Sequence, residues 1–461
     1  MNGSLIPASM EAPAEPHGRL PFGFAPRFYV FLSIGLVWLV PMWWSPRFIV
    51  GLLLWDLIAV AAWLYDLRRL PAPRQLEARR SWTASLLLAR PCSVSIELRS
   101  PTAIRAALVD ETPVSVRNEP PALTVTLAAG EEGAWQYEIR PSERGDIRFG
   151  NLFLRYSSNF SFAERWAVAR LAQTVRVLPD LVEAKDQALY LIRSKQIEME
   201  KRRRKQRGLG REFESLREYR EGDDLRDVYW PATARRHQLT TRSFESERSQ
   251  MVWIVVDAGR LLRARVLDPT RPVPLSKLDY AVNAALSLAQ VASQTGDRVG
   301  LVAYGRAIQQ TVASGRGPLQ IRSFVDSLAQ VRGEALEANH SLAARTLLQK
   351  QKRRALVVWI TDFAETPAMP DVIESAIQIS RRHLVLFAAV SQPDLAILAN
   401  SIPQDETEMF RHTAAVEIAQ RRDLLLRDLR RNGILAMELP PTGLTSSLVN
   451  QYLEIKDRSL L

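Results

Sequence analysis

Residues 208–257 read GLGREFESLREYREGDDLRDVYWPATARRHQLTTRSFESERSQMVWIVVD, and the parsing of the whole chain turns on them. Arginines and carboxylates crowd around Tyr219, Gly222 and Trp230, and the chain then enters an unbroken apolar run, 251–256, that stops at Asp257. A short continuous apolar run with polar borders fits a strand buried on both faces. Downstream, Leu278, Ala281, Val282, Ala285, Leu286 and Ala289 recur at helical spacing, and Gly296 supplies a stop. Further apolar runs follow at 299–304, at 355–360 leading into Thr361-Asp362, at 383–390 and at 433–437, with helical patterns between them that include 414–429. The alternation predicts a doubly wound, mostly parallel α/β domain over 251–461 with helices on both faces. Ligands of such sheets gather at the carboxyl ends of the strands, where Asp257 and Asp362 both fall.

Upstream of the signature, residues 181–205 predict a charged helical connector, and 181–250 is read as connector plus signature segment. Over 91–180 the period is two: Val94, Ile96 and Leu98 alternate with polar residues, as do Leu123, Val125 and Leu127, and Trp135, Tyr137 and Ile139. Short alternating strands with Pro, Gly and Asn turns predict a small β-sandwich-like domain. Between Arg27 and Arg47 the chain carries no charge for about 19 residues, roughly the length that crosses a bilayer core. A second apolar run, 48–65, follows the Ser45-Pro46-Arg47 turn, so 27–66 predicts a transmembrane helical hairpin rather than a cleaved leader. Residues 67–90 read as a basic juxtamembrane segment, with Arg68, Arg69, Arg74, Arg79 and Arg80, and Arg19 and Arg27 lie before the first span. Only Arg47 sits in the turn, so the positive-inside rule places both termini and the soluble domains in the cytoplasm, anchored in the inner membrane. Residues 1–26, rich in Pro, Ala and Gly, read as a disordered tail. Asp56, in mid-span, calls for a partner or a proton, or for a short hairpin that sits shallowly.

Length and composition fit several folded units: 461 residues, of which 47% are hydrophobic. The net charge of +11 is spread along the chain, and its densest run, Lys201 to Lys205, has no interleaved aromatics. A solvated face or attraction to anionic lipid accounts for that run without nucleic acid. The single cysteine, Cys92, excludes an internal disulfide. Five scattered histidines show no metal-ligand spacing, and Gly208-Leu209-Gly210 lacks the Lys-Ser/Thr of a phosphate loop.

The stretch 208–257 closely resembles the signature of the bacterial domain-of-unknown-function family fifty-eight, membrane-anchored proteins with a von Willebrand factor A-like domain. Glu143-Arg144-Gly145, Val177-Leu178-Pro179, Lys277-Leu278-Asp279-Tyr280, Gly296-Asp297-Arg298-Val299-Gly300 and Thr361-Asp362 extend the likeness along the chain. The resemblance implies that 251–461 is a von Willebrand factor A-like domain. Such domains often hold Mg²⁺ through Asp-x-Ser-x-Ser with a distant Thr and Asp, oxygen donors that suit a hard cation. Here the motif reads Asp257-Ala258-Gly259-Arg260-Leu261, so both serines are gone; Asp257, Asp362 and Ser341 remain as a degenerate set, and the carboxylates can instead cap helices or pair with Arg260. No cofactor is expected, with Mg²⁺ kept as the alternative. The interaction signature is Arg217, Tyr219, Gly222, Asp223, Asp224, Arg226 and Trp230, read either as a docking surface of forked donors or as internal pairs with Tyr219 and Trp230 packed on the next domain.

These readings lead to a membrane-anchored, non-enzymatic protein-interaction or assembly factor. The family resemblance implies a MoxR-type AAA+ ATPase as its partner. A Mg²⁺-dependent ligand-binding receptor using Asp257 and Asp362 is the second reading, and a cryptic hydrolase, for which no nucleophile–base pair is evident, the third.

Overall fold

The computed structural model describes residues 6–117, 119–180, 212–218, 228–236, 238–245, 250–269, 271–363 and 369–458. They form two compact units, Met1–Leu178 and Pro179–Leu461.

The first unit is built on antiparallel strands: β1 (Met10–Pro16), β2 (Phe22–Phe24), β3 (Glu77–Trp82), β4 (Cys92–Arg99), β5 (Ile104–Asp110), β6 (Ala122–Leu127), β7 (Glu132–Ile139), β9 (Leu152–Ser157) and β10 (Ala163–Ala169). They run in the order β6-β5-β9-β10-β1-β3-β4-β7, with β2 on β10; β8 (Gly145–Phe149) pairs separately with β11 (Gln173–Val177). Val94, Ile96 and Leu98 are fully buried, which is where their alternation puts them.

Strand β1 corrects the reading of residues 1–26 as disordered. Met10–Pro13 pairs with β3 and Ala14–Pro16 pairs with β10, so β1 passes from one ladder to the next. Pro13 falls at the changeover and Pro16 at the end, where a missing N–H costs little. A Pro/Ala-rich composition hid a strand whose neighbours supply its hydrogen bonds.

The reading of 67–90 as a basic juxtamembrane segment is corrected as well. Strand β3 lies inside it, and Arg80 is completely buried. Its Nε donates to Asp110 Oδ2 at 3.1 Å, its Nη2 also bonds the same carboxylate, and Nη1 donates to the Leu171 carbonyl at 2.8 Å. The Tyr137 hydroxyl donates to Asp110 from β7. The side chains of β3, β5 and β7 thus meet in one interior polar cluster beside an edge-on Trp82–Phe149 pair. A buried charge is tolerated when its donors are satisfied this fully.

Between β2 and β3 the chain forms α1 (Pro26–Ile34), a 3₁₀ turn at Gly35–Trp38, the short α2 (Leu39–Met42), and α3 (Ile49–Arg69), which follows a further 3₁₀ turn at Pro46–Phe48. Phe31 stacks on Trp55 with ring centroids 4.6 Å apart, and Trp55 Nε1 donates to the Phe31 carbonyl at 2.9 Å, so the first helical segment lies against α3. One helical run, Pro46–Gln75, is long and apolar enough to cross a membrane, and almost none of its apolar window is buried; Pro26–Met42 is apolar but shorter. Asp56 is half-buried on α3, with no hydrogen-bond or ion-pair partner among the described residues.

The second unit contains the hairpin β12 (Glu212–Glu218) and β13 (Thr240–Glu245), the short helix α4 (Trp230–Arg236), and a six-stranded sheet. That sheet has the order β18-β17-β14-β19-β20-β21, from β14 (Met251–Asp257), β17 (Arg298–Tyr304), β18 (Ile308–Gly315), β19 (Leu356–Thr361), β20 (Leu384–Val390) and β21 (Leu435–Leu439). Every pairing is parallel except that of the edge strand β18. Strands β14 and β17 pack closely because Trp253 stands opposite Gly300, where a Cβ would lie 2.9 Å from the indole.

A two-residue pair, β15 (Arg265–Val266) with β16 (Leu275–Ser276), leads into α5 (Lys277–Gln294). Ser276 caps this helix: its hydroxyl accepts from the Asp279 N–H, and the Asp279 carboxylate accepts from the Ser276 N–H at 2.8 Å. The helix ends beside Gly296, whose φ of 88° is left-handed. The remaining helices are α6 (Pro318–Gln330), α7 (His340–Lys350), α8 (Met369–Ser380), α9 (Pro393–Asn400), α10 (Glu406–Arg431) and α11 (Leu444–Asp457). Trp253, Val255, Val357, Trp359 and Phe387 pack with residues of α7, α8 and α10 into one core on one face of the sheet. Helix α5 packs against both α6 and α11, and against β14 and β17.

Asp110→Ala should cost the protein about 3–5 kcal/mol, because it leaves the Arg80 charge buried and unpaired. Asp110→Asn keeps an acceptor and should cost less. Denaturant midpoints of the detergent-solubilised chain measure both, and an unchanged midpoint for Asp110→Ala would show that the cluster contributes nothing.

Candidate functional site

Sheet order locates the site. Strand β14 has β17 on one side and β19 on the other, so the connections diverge at its carboxyl end and leave a crevice there. Asp257 ends β14, Thr361 ends β19, and Asp362 follows it.

The geometry around the two aspartates is closed by protein. Asp257 Oδ1 accepts from the Gly259 N–H at 2.7 Å and Oδ2 from the Thr361 hydroxyl at 2.6 Å. Burial pushes this carboxyl up to about 7, against those two bonds, and the nearby Asp362 and Glu334 charges push the same way. Asp362 Oδ2 takes the Lys277 ammonium at 2.7 Å, and Oδ1 takes the Arg422 guanidinium and the Phe363 N–H, each at 2.8 Å. Lys277 is at the first position of α5 and Arg422 is on α10. Arg422 also bonds Glu438 on β21 at 2.8 Å, the Val390 carbonyl at the end of β20 at 3.1 Å, and the Phe363 carbonyl, and its guanidinium lies over the Phe363 ring. One arginine thereby fastens the ends of three adjacent strands.

The third candidate ligand, Ser341, hydrogen-bonds Asn339 Oδ1 at 3.1 Å at the start of α7. Arg260, read as a counter-charge to the aspartates, pairs instead with Glu337 at 3.2 Å. Beneath the crevice the Tyr304 hydroxyl accepts from Trp359 Nε1 and meets His340 Nδ1, both at 2.8 Å. Burial lowers His340 to about 4, so the imidazole is neutral at physiological pH.

This donor set does not fit Mg²⁺. A hard cation needs several free oxygens at once, whereas Asp362 already carries two protein cations and an N–H, and Asp257 has both oxygens engaged and a raised pKa. No group of three or more His, Cys, Asp or Glu side chains that could hold a metal occurs among the described residues. Lys277 and Arg422 occupy the electrostatic place of the cation. In the sequence Lys277 stands in the Lys277-Leu278-Asp279-Tyr280 run with no role of its own, and nothing in the local pattern of α10 marks Arg422 among its many charges.

Of the interaction signature, Tyr219, Gly222, Asp223, Asp224 and Arg226 lie outside the described residues, and Arg217 is placed by its backbone on β12. Trp230 begins α4 with its side chain exposed, which departs from the reading that it packs on the next domain.

A mostly parallel, doubly wound sheet with one antiparallel edge strand and an acidic carboxyl-end site defines a von Willebrand factor A-like domain. Residues 215–405 match the model of the family described as protein of unknown function DUF58. The uncharacterized protein Rv1480 of Mycobacterium tuberculosis is 28% identical over 226 residues, covering 47% of this chain and 67% of that protein. Among solved structures, the conserved hypothetical protein BatB from Bacteroides thetaiotaomicron aligns at 14% identity and a TM-score of 0.31, over 46% of this chain and all (100%) of that one. The SpRpn10 VWA domain aligns at 12% identity and a TM-score of 0.26, over 44% of this chain and 95% of that one.

Lys277→Met should lower stability by about 3–5 kcal/mol, because it uncovers one side of a buried ion pair; an unshifted denaturant midpoint would remove Lys277 from the clamp. The melting temperature of the wild-type chain should be the same in millimolar Mg²⁺ and in chelator. A rise in Mg²⁺ that Asp257→Ala abolishes would establish metal binding through linkage to the native state.

Asp257 also sets a pH dependence. Its folded pKa lies above the unfolded value of 3.8, so the native state binds the extra proton. Its contribution is therefore complete below the unfolded pKa and is lost as pH rises through about 7. Asp257→Asn, which mimics the protonated form, should flatten the fall in melting temperature between about pH 5 and pH 8. An equal fall in both proteins would assign it to other groups.

Proposed function

We propose that this protein is a membrane-anchored, non-enzymatic interaction or assembly factor whose second unit works with a MoxR-type AAA+ ATPase. The observation that carries the reading is the Lys277–Asp362–Arg422 clamp. It fills the ligand end of a von Willebrand factor A-like sheet with the protein's own charges. A crevice occupied in this way is a fixed surface for recognition rather than a site that exchanges a metal or activates a nucleophile. The match of residues 215–405 to DUF58 supports the partner class through the family resemblance. The signature hairpin, where Arg217 lies on β12, is the docking element we assign to it.

Anchoring rests on the run Pro46–Gln75, with the hairpin as a two-span insertion in the inner membrane and both soluble units in the cytoplasm. The 91–180 region is then a sandwich-like module of the membrane-proximal unit.

Arg217→Ala should leave melting temperature unchanged and weaken retention of a purified MoxR-type ATPase on the immobilised full chain, with Arg217→Lys intermediate because lysine lacks the forked geometry. Undiminished retention by a stable Arg217→Ala protein would take that residue out of the interface. A reporter fused at the C-terminus should read as cytoplasmic, and a periplasmic signal would remove the cytosolic partner altogether.

A further inference from the structure

The first unit does more than hang from its helices. Trp63 Nε1, on α3, donates to the Gly23 carbonyl of β2 at 3.1 Å, and the Trp63 ring lies 4.8 Å from Phe24 and 6.0 Å from Phe22, centroid to centroid. At 1.5 Å per residue, Trp63 is about 9 Å inward of Arg69, the last residue of α3. Arg68 and Arg69 are exposed there as a cationic collar, and the apolar outer surface of α3 continues through Leu64 and Tyr65 almost to that collar. Strand β2 therefore meets the helix on the membrane side of its own collar. Its exposed Phe22 and Phe24, with Leu20 just before them, continue the apolar surface of the span.

The 158–162 loop between β9 and β10 reaches the same level. Arg27, at the start of α1, donates to the Asn159 carbonyl at 3.2 Å and the Phe160 carbonyl at 3.5 Å. Phe162 lies edge-on to Phe31, the residue stacked on Trp55 of α3. Phe160 itself is 54% exposed on this rim, so its ring has no place in the protein core. The rim is also held rigidly. Asp66 of α3 is buried and accepts from the Phe162 and Ala163 N–H groups, both at 2.9 Å, and from the Ser158 hydroxyl. Arg165 donates to the Leu67 carbonyl at 3.1 Å and the Tyr156 hydroxyl to the Pro71 carbonyl at 2.9 Å.

We propose that β2 and the 158–162 loop form a lipid-contacting rim, with Phe22, Phe24 and Phe160 set in the headgroup–acyl boundary of the bilayer and Arg27, Arg68 and Arg69 facing lipid phosphates. The proposal rests on the membrane-anchored reading above. Its occupant follows from continuity with the apolar span and from charge, since aromatic rings beside a ring of arginines match the interface of an anionic leaflet. The β-rich unit is then seated on the membrane in one orientation.

The full chain is reconstituted in nanodiscs containing anionic lipid, in a Cys92→Ala background. An environment-sensitive fluorophore is attached at Phe160→Cys, Leu54→Cys or Val114→Cys, and quenching is measured with lipids carrying a spin label near the head or near the tail of the acyl chain. Val114 is exposed near Glu111, whose N–H donates to the Asn151 carbonyl at the far end of β9, so it reports the distal side of the unit. The expected result is quenching at Phe160 several-fold greater than at Val114 and strongest with the shallow label, together with quenching at Leu54 by the deep label. Quenching at Leu54 with Phe160 no more quenched than Val114 overturns the rim and leaves the anchor standing. No quenching at Leu54 overturns the anchor itself, and the rim with it.

Discussion

Two positive charges meet on one buried carboxylate, and the second unit is organised around that meeting. Asp362 stands at the exit of β19, where the crevice opens, and receives Lys277 from α5 and Arg422 from α10. In a low-dielectric interior a lone carboxylate would be costly, and so would either cation. Together with Glu438 and the Phe363 and Val390 carbonyls they satisfy one another. The clamp also ties α5 and α10 to three strand ends, which fixes the carboxyl-end face of the sheet. Asp257, whose Oδ2 accepts from Thr361 beside that neutralised carboxylate, is held by hydrogen bonds alone among the described residues, and burial shifts it toward its protonated form.

How much of this could be read from the sequence depended on the range of the interaction. The strands β14, β17, β19, β20 and β21 were legible because a strand buried on both faces must be apolar throughout, and few other structures need that. The loss of both serines after Asp257 was equally legible, being local. The cations that pair with Asp362 were not. Arg422 lies in a helix crowded with charged residues, and only the path of α10 across the sheet ends brings it to Asp362. Arg260 was the plausible counter-charge by proximity in sequence, yet its side chain turns to Glu337.

The first unit shows the same limit from the opposite side. Arg80 falls in sequence among membrane-flanking cations, yet it is an interior strut bonded to Asp110. Strand β1 was hidden because proline and alanine signal neither strand nor core in isolation. Only the ladders on either side of it, β3 and β10, give those residues a structure.

Strands β1 and β2 precede the apolar helices in the chain, and β3 follows them, yet β1 pairs directly with β3. Topologically the helical hairpin is an excursion from within the β-rich unit, beginning and ending at neighbouring points of one sheet. Because β3 follows both helices in the chain, it can pair with β1 only after they have been made, and their packing brings the two strands nearer each other. Where the helices enter a bilayer, insertion therefore becomes a step in the folding of the water-exposed unit rather than an event that follows it. Until β3 reaches β1 the sheet is incomplete and carries an open strand edge, the kind of surface that pairs with other chains.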